Sequence, residues 1–116
     1  MTEDFDPIAF AQRQLDAYNA RDLKRFIQEY TDDVVAYRLG SNEALARGKE
    51  AFAEHYRKNR FNLPHLHAEL VSRMAFGNKV IDQERVFGVE PEPMEVAAIY
   101  EITPAGISKV WFVGGK

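Results

Sequence analysis

The 116-residue sequence contains no cysteine. That excludes a disulfide framework, a thiolate metal site and a cysteine nucleophile, and it suits a reducing compartment. There is no excess of cations either: fifteen Lys and Arg stand against eighteen Asp and Glu, a net charge of −3. Affinity for phosphates needs clustered basic residues that outnumber acids, so nucleic-acid binding is excluded. The start, MTEDFDPIAF, is acidic rather than basic, and no apolar run reaches bilayer length. Neither a signal peptide nor a membrane partner is expected, and the location is read as cytoplasmic. No repeat, low-complexity segment or linker divides the chain. With 46% hydrophobic residues it can build one substantial core, so residues 1–116 are expected to form a single domain.

The first half reads as helical. Asp6 can accept from orphan backbone N–H groups and Pro7 suits a first helical position. Ile8, Ala11, Leu15 and Tyr18 then recur at helical spacing until Asn19, a residue that tolerates the left-handed stop. Asp22 caps a second helix with Leu23, Phe26, Ile27 and Tyr30 on one side, and Thr31-Asp32-Asp33 supply turn chemistry. A short strand is expected over Val34–Leu39. Gly40–Arg47 is a polar connection with room for a second short strand. Gly48 precedes a third helix, Lys49 to about Asn59, with Phe52, His55 and Tyr56 spaced for burial.

After Pro64 the period changes to two. Leu66, Ala68, Leu70, Ser72 and Met74 alternate with mostly charged or polar positions, as a strand with one buried face requires. Gly77-Asn78 signals a hairpin, Lys79–Val89 a second long strand, and Pro91-Glu92-Pro93 another turn. Met94–Ile102 and Ile107–Val113 complete the set. Helices followed by a strand meander make an α+β pattern.

At AYNARDLKRFIQEYTDDVVAY, followed by Arg47-Gly48-Lys49-Glu50-Ala51-Phe52, the chain resembles the nuclear transport factor 2-like, or SnoaL-like, superfamily. The resemblance runs from the first helix to the ending IYEITPAGISKVWFVGG. It implies a cone of three N-terminal helices packed on a strongly curved, mostly antiparallel sheet, an internal pocket, and a homodimer through the outer sheet face. The superfamily includes ketosteroid isomerases, polyketide cyclases, dehydratases and non-catalytic binding modules, so it fixes no single activity. The isomerases need a carboxylate base and two acidic oxyanion donors. The matching positions here are Arg38 for the base, Gln14 for the tyrosine donor and about Ala98 for the protonated aspartate. Tyr30 and Tyr56 match the supporting tyrosines, and His55 falls where the family places an aromatic residue lining the pocket.

Arg38, pointing inward as the matching position does, needs an anionic partner, because an unpaired buried charge is costly. Two partners are weighed: an anionic ligand, or a strand acid such as Asp82 or Glu84. His55 is the best available proton carrier, since imidazole titrates near neutral pH; a lone His on an apolar face also serves as an ordinary packed core residue. His65 and His67 alternate at a strand start with no third ligand spaced to them, so no metal is expected. Tyr18, Tyr30, Tyr56 and Tyr100 offer walls with polar tips. On the second long strand either Asp82 and Glu84 or Gln83 and Arg85 face inward. Setting Phe87 on the pocket side favours Gln83 and Arg85, and a slip of one residue reverses that choice. Phe112 would then line the pocket and Trp111 the outer face, where it would serve a dimer contact.

Three functions follow as expectations. The first is a cofactor-independent pocket protein that binds, and in its catalytic form converts, a small organic molecule carrying a carbonyl or anionic group. Arg38 would orient that molecule, with Gln14, His55 and Tyr100 as polar groups. The second is a non-catalytic binding or assembly module on the same scaffold. The third is an isomerase with its acids relocated to Asp82 or Glu84.

Overall fold

In the computed structural model, which describes residues 5–114, helix α1 (Pro7–Asn19) begins as the Asp6-Pro7 pair predicts. The Asp6 carboxylate accepts from the Ile8 amide at 3.1 Å. Residues 1–4, which carry the acidic start, and residues 115–116 lie outside the described residues. Asn19 is the last residue of the helix, but not for the reason expected. Its side-chain amide donates to the Ala68 carbonyl at 2.9 Å and accepts from the Ala68 amide at 2.8 Å. It thus takes the place of a neighbouring strand and ties α1 to the sheet, while the left-handed backbone falls at Arg21 (φ 52°).

Asp22 caps the short helix α2 (Leu23–Gln28), accepting from the Arg25 amide at 3.2 Å. Strand β1 (Tyr30–Arg38) follows almost directly, so Thr31-Asp32-Asp33 belong to a strand and not to a turn. The cause is long-range: Tyr30 pairs in parallel with Ile107, and the Ile107 amide donates to the Glu29 carbonyl at 2.8 Å. Gly106 makes this approach possible, because a Cβ there would lie 3.0 Å from that carbonyl.

Strand β2 (Ala44–Arg47) is the second short strand, and α3 (Lys49–Asn59) follows Gly48. The remaining strands are β3 (His67–Phe76), β4 (Lys79–Phe87), β5 (Met94–Thr103) and β6 (Gly106–Gly114). They form one six-stranded sheet in the order β2-β1-β6-β5-β4-β3, antiparallel except for the β1–β6 pair. Three helices on a curved, mostly antiparallel sheet are the α+β cone that the resemblance implies. Among the described residues no helix is long and apolar enough to cross a membrane.

The aromatic residues of α2, β1 and α3 meet where the helices close on the sheet. Phe26 and Phe52 are buried with parallel rings at 6.0 Å, and Tyr30 and Tyr56 pack against both. Truncating either phenylalanine to alanine would cost about 3–5 kcal/mol, so this cluster sets the position of the helical wall.

Register decides which side chains face the helices. A bulge between Leu70 and Ser72 shifts β3 by one residue, so the simple alternation expected from Leu66 to Met74 fails halfway. Ser72 hydroxyl bonds Gln83 on the outer face, Met74 is exposed, and Arg73 turns inward. One cross-strand row then reads Arg73, Asp82, Ala98, Phe112, Arg38, and the next reads Leu70, Glu84, Val96, Gly114. Of these rows, Arg38, Phe112, Glu84, Val96 and Gly114 form the floor of the cavity.

Candidate functional site

A cavity of about 380 Å³ lies between the concave face of the sheet and helices α1 and α3. It is within the size range of small-molecule sites. Leu15, Val86, Met94, Val96 and Phe112 supply apolar lining; Gln14, Tyr18, Arg38, His55, Tyr56 and Tyr100, all singled out in the sequence, also line it. Tyr30 lies in the core behind, and its hydroxyl donates to Gln14 Oε1 at 2.9 Å. Gln14 Nε2 in turn donates to the Ala11 carbonyl at 3.0 Å and to the Tyr100 hydroxyl at 3.1 Å. Gln14 is thus held by three partners, and the Tyr100 hydroxyl, having accepted from it, keeps its own proton for a further acceptor.

Gln83 and Arg85 are not in the cavity. They lie on the outer face: Gln83 accepts from Ser72, and Arg85 Nε pairs with Glu95 at 2.7 Å. Phe87 misled the choice of face, because it is itself on the outer side beside His67, while Val80, Asp82, Glu84 and Val86 point inward and are buried. The register has Glu84 opposite Val96 without a slip.

The two inward acids differ sharply. Asp82 is fully buried and held by Arg73 in a bidentate pair, with Nε–Oδ1 at 2.7 Å and Nη2–Oδ2 at 2.9 Å. Arg73 spends a further N–H on Gln12 at 2.9 Å. The strand acid therefore found its cation on β3, not at Arg38. Glu84 is only 8% exposed, yet it makes no hydrogen bond or ion pair among the described residues. Among the described residues no fully buried side-chain oxygen lacks a partner, so the Glu84 carboxyl oxygens must open into the cavity that this residue lines. Burial pushes this carboxyl up to about 7; the Asp82 carboxylate adds to the shift and Arg73 offsets part of it.

The other groups are less adaptable. Burial raises the Tyr18 hydroxyl to about 12 against the moderating charge of Arg60, and holds Tyr30, Tyr56 and Tyr100 well above the ordinary tyrosine range. All four are hydroxyl donors at neutral pH. His55 is half-buried, edge-on to Tyr56 at 5.3 Å, with Nδ1 3.3 Å from Asn59 Nδ2. Burial, then the charge of Arg60, lowers its proton affinity and favours the neutral imidazole. Arg38 Nη1 donates to the Gly114 carbonyl at 3.0 Å at the cavity wall. Among the described residues no group of three His, Cys, Asp or Glu is placed to hold a metal ion.

Sequence reasoning missed Arg73 and ranked Glu84 below Gln83. The available signal for Glu84 was the alternation Val80, Asp82, Glu84, Val86, whose apolar ends mark the buried face.

Trp111 faces away from the cavity and stacks on Tyr37 at 5.9 Å. Tyr37, Trp111, Ile99, Ile81 and Met74 make one apolar row across the outer face. A ladder of Lys79, Glu101 and Lys109 borders it.

Solved structures share this architecture. An uncharacterized cystatin-fold protein from Novosphingobium aromaticivorans is 25% identical, with a TM-score of 0.82 over 93% of this chain and 97% of that one. A SnoaL-like protein of unknown function from Burkholderia thailandensis is 20% identical, with a TM-score of 0.79 over 95% and 94%. A candidate polyketide cyclase from Sinorhizobium meliloti is 17% identical, with a TM-score of 0.78 over 93% and 99%. A comparison with curated proteins gave no match. The sequence profile of the SnoaL-like domain matches residues 11–115, nearly the whole chain. The protein is a member of the SnoaL-like domain family.

Proposed function

We propose that the cone binds a small, largely apolar organic molecule bearing a carbonyl or anionic group, and converts it by cofactor-independent acid–base chemistry. The observation that carries this reading is the cavity of about 380 Å³, in which apolar walls surround a few convergent polar groups. Arg38, which lines the cavity and whose guanidinium is a fixed cation, orients the polar end of the ligand. Tyr56 and Tyr100 contribute hydroxyl donors to a carbonyl oxygen. A putative-polyketide-cyclase neighbour agrees with such chemistry only at the level of the fold.

A non-catalytic binding module is the second reading, favoured by Gln14, Arg38 and Ala98 standing where the isomerases keep their acid and base groups. Both readings include a homodimer through the outer apolar row centred on Trp111. A thermal-shift screen of small carboxylic acids and ketones tests the shared claim, because a ligand that binds only the folded chain raises its melting temperature. Hits are expected among both classes. The shift by acids should disappear in Arg38→Ala, and an acid shift unchanged in that variant would remove Arg38 from the site.

A further inference from the structure

We propose that Glu84 is the proton-transferring residue of the cavity, taking a proton from a carbon of the bound molecule and returning it. This rests on the cavity being a ligand site, and it gives the acid–base role to Glu84 in place of His55. Three features of geometry carry it. Glu84 is more than nine-tenths buried, has no partner among the described residues, and opens into the cavity. The neighbouring acid, Asp82, is fully committed to Arg73 and lies outside the lining. Finally, Glu84 shares a row with Gly114, the residue whose carbonyl marks the reach of Arg38. Two interstrand spacings place their backbones roughly 10 Å apart. A small ligand spans that gap, with a carbonyl or carboxylate oxygen at Arg38 and an acidic C–H at Glu84.

The step balances without a cofactor. The Glu84 carboxylate takes the proton from a carbon beside the carbonyl. The C–H electron pair becomes the C=C bond of the enolate, whose oxygen takes the negative charge. Glu84, now protonated, returns the proton to that carbon or, where a further C=C bond extends the enolate, to the far carbon of the dienolate. The electron pair on the enolate oxygen re-forms the carbonyl, and Glu84 is again a carboxylate. A carboxyl that titrates near neutrality suits both directions of transfer.

The charged and titratable groups facing Glu84 are Tyr18 from α1, Arg38 from β1, His55, Tyr56 and Arg60 from α3 and its end, Arg73 from β3, Asp82 from its own strand and Tyr100 from β5. Burial holds the tyrosines protonated, which leaves His55, whose proton affinity burial lowers, as the rival proton carrier.

The probe is 5-nitrobenzisoxazole, a planar substrate for any positioned base. Loss of its ring C–H proton forms a C≡N bond from the C–H electron pair, breaks the N–O bond and releases a coloured phenolate. Benzoxazole, which has no N–O bond, reports binding without reaction. We expect saturable benzoxazole binding that shifts NMR signals of cavity residues. We expect turnover whose kcat/KM rises with pH through an inflexion near 7 and falls about 100-fold in Glu84→Gln. Glu84→Asp should keep part of the rate and move the inflexion. It also keeps the question open to decision if the glutamine variant does not melt cooperatively. Benzoxazole binding with turnover absent, or equal in wild type and Glu84→Gln, overturns the assignment and leaves the cavity reading intact. Loss of turnover in His55→Asn but not in Glu84→Gln transfers the role to His55. Absence of benzoxazole binding overturns both readings.

Discussion

Replacing Glu84 by glutamine should stabilise the fold, and by an amount that depends on pH. In the unfolded chain this carboxyl ionises near its ordinary value of 4.5, whereas in the folded chain ionisation waits until about 7. The raised value means that the native state prefers the protonated form. Its contribution is therefore fully present below 4.5 and is lost as pH rises through about 7. A tenfold change in proton affinity is worth about 1.4 kcal/mol, so the whole window amounts to about 3 kcal/mol. Glutamine has nearly the shape of the protonated acid and does not ionise. The variant should match the wild type near pH 4.5 and exceed it by up to about 3 kcal/mol at pH 8.5. With an m-value of about 1.5 kcal/mol/M this is a shift on the order of 2 M in the urea midpoint. Urea unfolding of both proteins at four or five pH values reads the difference directly. The His55 contribution is common to both and cancels. A difference that does not change with pH, or a variant weaker than wild type at pH 8.5, would refute the reasoning. A destabilising group retained inside a cavity is what a functional site, as opposed to a packing site, is expected to show.

Three further outcomes follow from the same structure. Arg73→Ala leaves Asp82 as an uncompensated buried charge and should cost about 3–5 kcal/mol in urea unfolding, much of it recovered in the double variant Arg73→Met with Asp82→Leu. Tyr30→Phe removes the donor to Gln14 Oε1 and should cost about 1–3 kcal/mol. Tyr100→Phe should cost less, since Gln14 Nε2 keeps the Ala11 carbonyl; equal losses in the two would contradict the hydrogen-bond assignment. In sedimentation at micromolar concentration the wild type should run as a dimer and Trp111→Glu as a monomer. A monomeric wild type would refute the interface.

Local signals were legible where local chemistry decides. The Asp6-Pro7 start, the Asp22 cap and the Gly77-Asn78 hairpin all lie where the residues place them. Long-range pairing was not legible. Residues 31–33 look like a turn because they are polar, and only the contact of Tyr30 with Ile107 draws them into a strand. The bulge at Val71 reverses the facing of β3 with no Gly or Pro to announce it, and so brings Arg73 to Asp82. The polar lining of the site was partly readable: Gln14, Arg38, His55, Tyr56 and Tyr100 all reach the cavity. The inward face of β4 was misjudged because an aromatic residue was assumed to be buried. Phe87 is 36% exposed, whereas Asp82 is fully buried. An acid enters such a core when a cation from another strand accompanies it, and the sequence of β4 alone does not contain that cation.

The most direct measurement is a titration of the Glu84 side-chain carboxyl carbon by NMR, in the empty protein and with benzoxazole bound. The midpoint should lie near 7 in the empty protein. It should rise further when the apolar ligand displaces water from the carboxyl, because desolvation disfavours the charged form. A midpoint near 4.5, or one that bound ligand leaves unmoved, would contradict a buried carboxyl that opens onto the ligand.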